Sequence, residues 1–194
     1  MTRIDLEVKS INLAARFGEI PHKRENADEL VREIGEKTLL LIDLKGVQDI
    51  AGTFLRSAIF GLQEQARNYV DETPIWVFTN AEEDAGLALN WTLRHMRTGA
   101  AVNTYNGVGI WPRTTHLNST YEATKALTTE HGTFTASQLA EVLAQKQPNT
   151  NQRLKLVSSL GALTRKRDPS AKHGTRYLYR AITDEDVASQ IQLF

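Results

Sequence analysis

Two short apolar runs, with one long amphipathic stretch between them, organise the first half of the chain. Residues 38–44 read Thr-Leu-Leu-Leu-Ile-Asp-Leu and residues 75–78 read Ile-Trp-Val-Phe. Near-continuous apolar runs of this length mark strands buried on both faces, as in a parallel sheet with helices above and below. Between them Ala51, Phe54, Leu55, Ala58, Ile59, Leu62 and Ala66 recur at the spacing of one helix face. Strand, crossover helix and second buried strand make a βαβ unit, so the first half is expected to be α/β. Residues 3–10 read as an opening strand. Residues 101–105 and 108–111 read as a hairpin around Asn106-Gly107, a strong hairpin signal.

Helix starts are marked by polar residues three apart. Asn26 with Glu29, Asn80 with Glu83 and Ser119 with Glu122 have capping-box spacing, in which the cap oxygen takes a free amide and the acid reaches back. Helices are predicted near 27–35, 51–68, 81–97 and 120–131. The third of these would bury Ala85, Ala88, Leu89, Thr92, Leu93 and Met96, and Trp76 and Trp91 are expected in the core. The segment Pro112-Arg113-Thr114-Thr115-His116 is polar and opens with proline. A boundary is placed there, giving one domain over 1–112, a linker over 113–118 and a second domain over 119–194.

The second part begins with another capping box, Thr135 with Gln138, followed by Leu139, Val142 and Leu143. A turn at Gln147-Pro148 precedes a helix that Asn149 and Gln152 can cap. That helix runs to about Leu160, and Gly161 suits its left-handed end. Residues 162–167 and 175–182 read as strands, joined by a loop over Asp168–Gly174. Helices joined by a tight turn, then a basic two-stranded ribbon, resemble the winged helix-turn-helix family over roughly residues 118–183. The final stretch, Asp184 to Phe194, places Val187, Ala188, Ile191 and Phe194 on one side. It would complete the core of this unit or form a dimer seam.

Charge changes the picture. The whole chain carries 23 Lys/Arg and 23 Asp/Glu, a net of zero. Residues 1–115 hold 13 basic and 16 acidic side chains, whereas residues 145–182 hold nine basic side chains and a single acid, Asp168. Such asymmetry is a sign of nucleic-acid contact. In the third helix of the unit Leu154, Leu156, Val157 and Leu160 set the inward direction. Asn151, Gln152, Lys155, Ser158 and Ser159 then fall on the other face. Amides suit adenine edges and ammonium groups suit guanine. Arg165, Lys166, Arg167, Lys172, His173 and Arg176 would surround the ribbon as phosphate or minor-groove contacts.

Residues 41–55, Leu-Ile-Asp-Leu-Lys-Gly-Val-Gln-Asp-Ile-Ala-Gly-Thr-Phe-Leu, resemble the STAS family, the fold of bacterial anti-sigma-factor antagonists. In that family a buried strand ends in a V-x-x-[IM]-D-S-S-[GF]-L turn that opens a helix and carries a phosphorylatable serine. Here Val47, Ile50, Phe54 and Leu55 match, but Ala51 stands in place of the acid and Gly52 in place of the first serine. Thr53 alone keeps a hydroxyl, which makes it the candidate phosphoacceptor. It also suits the start of a helix in its own right. The two resemblances together imply a bacterial-type regulator, and the want of a signal core or membrane-length apolar run leads us to expect it in the cytoplasm. Its winged helix would bind duplex DNA, and its STAS-like domain would bind a protein partner or kinase, or mediate homodimerisation. The alternative is a partner-switching adaptor whose basic domain contacts protein or RNA.

Enzyme classes find no support. There is no cysteine, which excludes thiolate metal sites, disulfides and Cys nucleophiles. No phosphate-binding loop or dinucleotide fingerprint occurs, and His22, His95, His116, His131 and His173 lack metal-ligand spacing. No cofactor or metal is expected. The N-terminus has no apolar signal core, and Leu39–Ile42 is far short of the ~20 residues a membrane span needs.

Overall fold

The computed structural model describes residues 6–35, 37–69, 72–81, 84–112, 115–171 and 176–191; of 115, 116, 190 and 191 only the backbone is described. It is α/β, with a mixed five-stranded sheet and eight helices among these residues. The chain opens with β1 (Glu7–Asn12), α1 (Leu13–Phe17), α2 (Arg24–Arg32), β2 (Thr38–Asp43), α3 (Gly52–Asn68), β3 (Ile75–Thr79) and α4 (Asp84–Met96). The hairpin β4 (Ala100–Thr104) and β5 (Gly107–Trp111) then closes the sheet. Strand order is β1-β2-β3-β4-β5, parallel through β4 with β5 antiparallel.

Parallel strands laid down in sequence order, with crossovers of one hand, put every connecting helix on the same face of the sheet. The core follows that rule. Leu40, Ile42, Trp76, Phe78 and Val102 pack in one cluster with Leu13, Leu30, Phe54, Leu55, Ile59, Leu89 and Leu93 of the four helices. The alternate positions Leu39, Leu41, Ile75, Val77 and Ala101 face the other way, and none of α1 to α4 reaches them.

Their cover comes from the second part of the chain. This consists of α5 (Thr115–His131), α6 (Ala136–Val142), α7 (Gln147–Ser159), the hairpin β6 (Leu163–Arg167) and β7 (Tyr177–Ala181), and α8 (Asp184–Ile191). Tyr121, Leu127, Phe134, Leu139, Leu154, Val157, Leu160 and Leu163 share one apolar cluster with the second face of the sheet. The apolar runs are therefore buried on both sides, as expected, but the upper layer is this C-terminal unit and not helices of the first half.

Hydrogen bonds lock the junction. β4 pairs with β3 only at Val77 and Phe78. The start of β3 is bonded instead by residues 161–165. Trp76 N–H donates to Gly161 O at 3.1 Å, Arg165 N–H to Thr73 Oγ1 at 3.0 Å, and the buried Thr164 hydroxyl to Thr73 O at 2.6 Å. Ala101 N–H donates to Leu160 O at 3.1 Å. On the far side Asp184 accepts from Val108 N–H at 2.6 Å and from Lys125 Nζ at 3.2 Å.

Several elements differ from the sequence expectation. α2 starts at Arg24 after Lys23, with no cap by Asn26, and α5 starts at Thr115, ahead of Ser119. α7 begins at Gln147 and holds Pro148 in its first turn, where proline loses no hydrogen bond; Asn149 and Gln152 lie inside the helix. The Thr135–Gln138 capping box is complete. Trp76 is fully buried, but Trp91 is 54% exposed and stacks on His95, because α4 meets the core through Ala85, Leu89 and Leu93. Glu83 of the expected Asn80 box, Phe194 and residues 3–5 of the expected opening strand lie outside the described residues.

Gly161 has φ +82° after α7, and a Cβ there would sit 2.5 Å from the Trp76 ring and 2.6 Å from its carbonyl. Trp76 cannot retreat, since it is wholly buried. Gly161→Ala is expected to cost about 3 kcal/mol, combining left-handed strain with overpacking. Gly109→Ala is the control, because its added methyl meets nothing within 4 Å, and it should stay within about 0.5 kcal/mol of the parent. Urea unfolding of both variants checks this, and equal stabilities would contradict the packing described.

Candidate nucleic-acid interface

α7 is positioned by its buried side. Thr150, Leu154, Val157 and Ser158 face inward, and Asn149, Asn151, Gln152, Lys155 and Leu156 are exposed. Two residues thus exchange the places expected from polarity: Leu156 is 46% exposed and Ser158 is 7% exposed. Periodicity assumed that apolar residues point inward. The lean of α7 onto α3, imposed by the Gly161–Trp76 junction, turns Ser158 inside instead.

The hairpin faces follow from its register. Arg165 lies opposite Tyr179 and Arg167 opposite Tyr177, so these four share one face, whereas Thr164, Lys166, Leu178 and Arg180 share the other. Beyond β7, Phe134 and Tyr179 exchange backbone hydrogen bonds at 2.9 and 2.8 Å, which adds a single-residue third strand. Their rings stack at 5.9 Å.

A cleft of about 280 Å³ lies between α7 and this ribbon. Asn151 and Lys155 reach it from α7, and Arg165, Arg176, Tyr177 and Tyr179 from the hairpin side. The Arg165 guanidinium stands 4.8 Å from the Tyr177 ring centre, a cation–π contact that holds it in place. Arg176 is held by Asp168, with Nε at 2.6 Å and Nη2 at 2.5 Å from the same carboxylate oxygen, and its side chain is 57% exposed. The other oxygen of Asp168 accepts from the Ser170 N–H at 2.9 Å and from its hydroxyl at 2.7 Å. Those Ser170 hydrogen bonds, followed by Arg176, hold the Asp168 carboxyl below the usual carboxylate range.

Four of the residues expected to contact nucleic acid, Asn151, Lys155, Arg165 and Arg176, therefore meet at one place. Gln152 and Arg167 are exposed on the same elements without lining the cleft. Lys166 points away: its ammonium lies 3.2 Å from the buried Glu72 carboxylate, which also holds Lys37 at 3.5 Å. Ser159 is half-buried and donates its hydroxyl to Leu156 O at 2.8 Å. Lys172 and His173 lie outside the described residues. Thr53 is exposed in the first turn of α3. It lies fourteen residues from Arg67 at the other end of that helix, about 20 Å along the axis.

Sequence reasoning missed Arg67, Arg94 and Arg97. They belong to the acidic half, yet they line clefts against α7, Arg67 beside Lys155 and the other two beside Leu156. Only the fold brings them there, and no local pattern marks it. Asp43, at the end of β2, is tied down by Asn12 at 2.9 Å and Asn80 at 2.6 Å, which makes it a staple for three strand ends. Among the described residues no group of three or more His, Asp or Glu side chains could hold a metal ion, and no helix is long and apolar enough to cross a membrane. Comparison with family models, with curated proteins and with solved structures gave no match.

The Asp168 carboxyl sets a pH dependence. A carboxyl held below its ordinary range stabilises the fold above its unfolded pKa of about 4, and that contribution is lost as pH falls through the lower folded value. Asp168→Asn should thus be less stable than the parent at pH 7, and the gap should close below about pH 4. Urea titrations at several pH values measure the gap; a constant gap from pH 7 to pH 3 would refute this role.

Proposed function

We propose that the protein is a cytoplasmic DNA-binding regulator. In this reading α5 to β7 form a winged helix-turn-helix, with α7 as the recognition helix and the β6–β7 ribbon as the wing. The element order supports it: helix, one-residue strand, helix, helix and hairpin, with the short strand beside β7. The observation that carries the proposal is the meeting of Asn151, Lys155, Arg165 and Arg176 around one cleft. They come from two elements and stand beside exposed Gln152 and Arg167.

The residues divide by chemistry. Asn151 and Gln152 carry amides suited to base edges, and Lys155 an ammonium suited to guanine or phosphate. Arg165, Arg167 and Arg176 suit phosphates or the minor groove, which positions the protein without reading much sequence. Arg176 would exchange its bond to Asp168 for a phosphate oxygen. Lys166, engaged with Glu72, contributes to the fold and only indirectly to binding.

The first half is proposed as a STAS-like module that binds a regulatory protein or a second copy of the chain. The turn over residues 47–55 supports that reading. So do Phe60, Leu87 and Trp91, large apolar side chains that α3 and α4 leave exposed. A single winged helix makes few contacts, so a dimer on two half-sites is the expected binding form. Thr53 is proposed as its phosphoacceptor, since it is exposed where a helix N-terminus favours a phosphate.

Retention of a labelled duplex pool by the full chain tests the proposal. Binding should weaken steeply as salt rises, and Lys155→Ala and Arg167→Ala should each flatten the logarithmic salt slope by about 1. Asn151→Ala should instead cost about 1–3 kcal/mol on preferred sequences and little on others. No retention at low salt would overturn the reading. Retention of single-stranded RNA in place of duplex would favour an adaptor whose basic unit contacts RNA.

A further inference from the structure

A second and larger cleft, about 510 Å³, separates the C-terminal end of α3 from the C-terminal half of α7. Arg67 enters from α3, Thr73 from the approach to β3, Lys155, Ser158 and Ser159 from α7, and Arg165 from β6. Among the described residues the lining holds three cations and three hydroxyls and no carboxylate. The acid next to it in sequence, Glu72, is already engaged by Lys37 and Lys166. Among the described residues no carboxylate lies within salt-bridge distance of Arg67 or Lys155.

Two polar atoms of the lining residues are buried without a hydrogen-bond partner among the described residues. They are the Ser158 hydroxyl oxygen, on a residue only 7% exposed, and the Arg165 Nε. A buried donor left unmade is costly, so such atoms point to something that pairs with them. In a cleft of this charge the fitting partner is an anion with several acceptor oxygens. A phosphate can take a guanidinium fork, an ammonium and a hydroxyl at once, which is the set present here.

We infer that this cleft is a phosphate-binding site at the junction of the two halves. The inference goes beyond the DNA reading, because Arg67, Thr73 and Ser158 have no part in that reading. The phosphate belongs either to a small phosphorylated ligand or to the backbone of a bound duplex. Lys155 and Arg165 also face the proposed DNA surface. A bound phosphate therefore joins α3 to the recognition helix and is energetically coupled to DNA, with the coupling equal in both directions.

The test is calorimetric titration of the full chain with inorganic phosphate, at constant ionic strength against sodium chloride. Saturable one-to-one binding is expected. Arg67→Gln should weaken it about tenfold and Ser158→Ala several-fold, while Lys146→Gln, exposed outside the cleft, should leave it unchanged. Thermal unfolding of each variant shows that the fold is kept. No saturable heat, or the same affinity in all three variants, would overturn the site.

A duplex arm then separates the sources. If Arg67→Gln weakens duplex binding in proportion, and duplex displaces phosphate, the group is a backbone phosphodiester. If duplex affinity is unchanged while phosphate binding is lost, the ligand is a small phosphorylated molecule. Duplex binding without any phosphate binding defeats this inference alone, and phosphate binding without duplex binding defeats the DNA reading alone.

Discussion

The structure depends on how the second face of the sheet is covered. Strands β1 to β4 are parallel and lie in chain order, so their helices gather on one side. The other side presents Leu39, Leu41, Ile75, Val77 and Ala101, all at most 2% exposed once the C-terminal unit is in place. A bare apolar sheet face of that size is not tolerated in water, where burial is worth about 25 cal/mol per Å². The chain solves this with α5, α7 and the β6 turn, and residues 161–165 take up the hydrogen bonds at the start of β3. Gly161 is required there because a side chain would collide with Trp76.

That constraint places the chemistry. Since β6 is bonded to Thr73 and α7 leans on α3, the basic unit is held at a defined angle to the first half. Three arginines of an otherwise acidic region, Arg67, Arg94 and Arg97, are thereby brought beside α7. The positive surface is a joint product of both parts of the chain. Glu72 has the opposite task, neutralising Lys166 and Lys37 where the ribbon meets the sheet. α7 and α3 are thus connected through packed side chains and not through a flexible tether.

Much of this was legible in the sequence, and the failures have physical causes. The βαβ unit was readable because two apolar runs enclosed a clean helical period, and the Thr135–Gln138 cap because its chemistry is local. The basic cluster was readable from charge position alone. What covered the sheet was not readable, since a continuous apolar run reports burial on both faces but not the identity of the second layer. The placing of Leu156 and Ser158 failed for a related reason: the roll of α7 is set by the α3 contact, a tertiary effect that overrides periodicity. Trp91 failed because aromatic character was read as burial, whereas α4 presents only one side to the core. The partnership of Lys166 with Glu72 links residues from the two parts of the chain, far apart in sequence, and no spacing rule reveals it.

Native-state hydrogen exchange at the junction tests this account most directly. The amides of Trp76 and Ala101 donate to Gly161 and Leu160 across the two halves. If the C-terminal unit is the second layer of one core, both amides exchange only through global unfolding. They would then share the free energy and denaturant dependence of the slowest amides in β2. Exchange of these two amides through a smaller opening, insensitive to denaturant, while β2 stays protected, would mean that the halves part as independent bodies and would contradict the account.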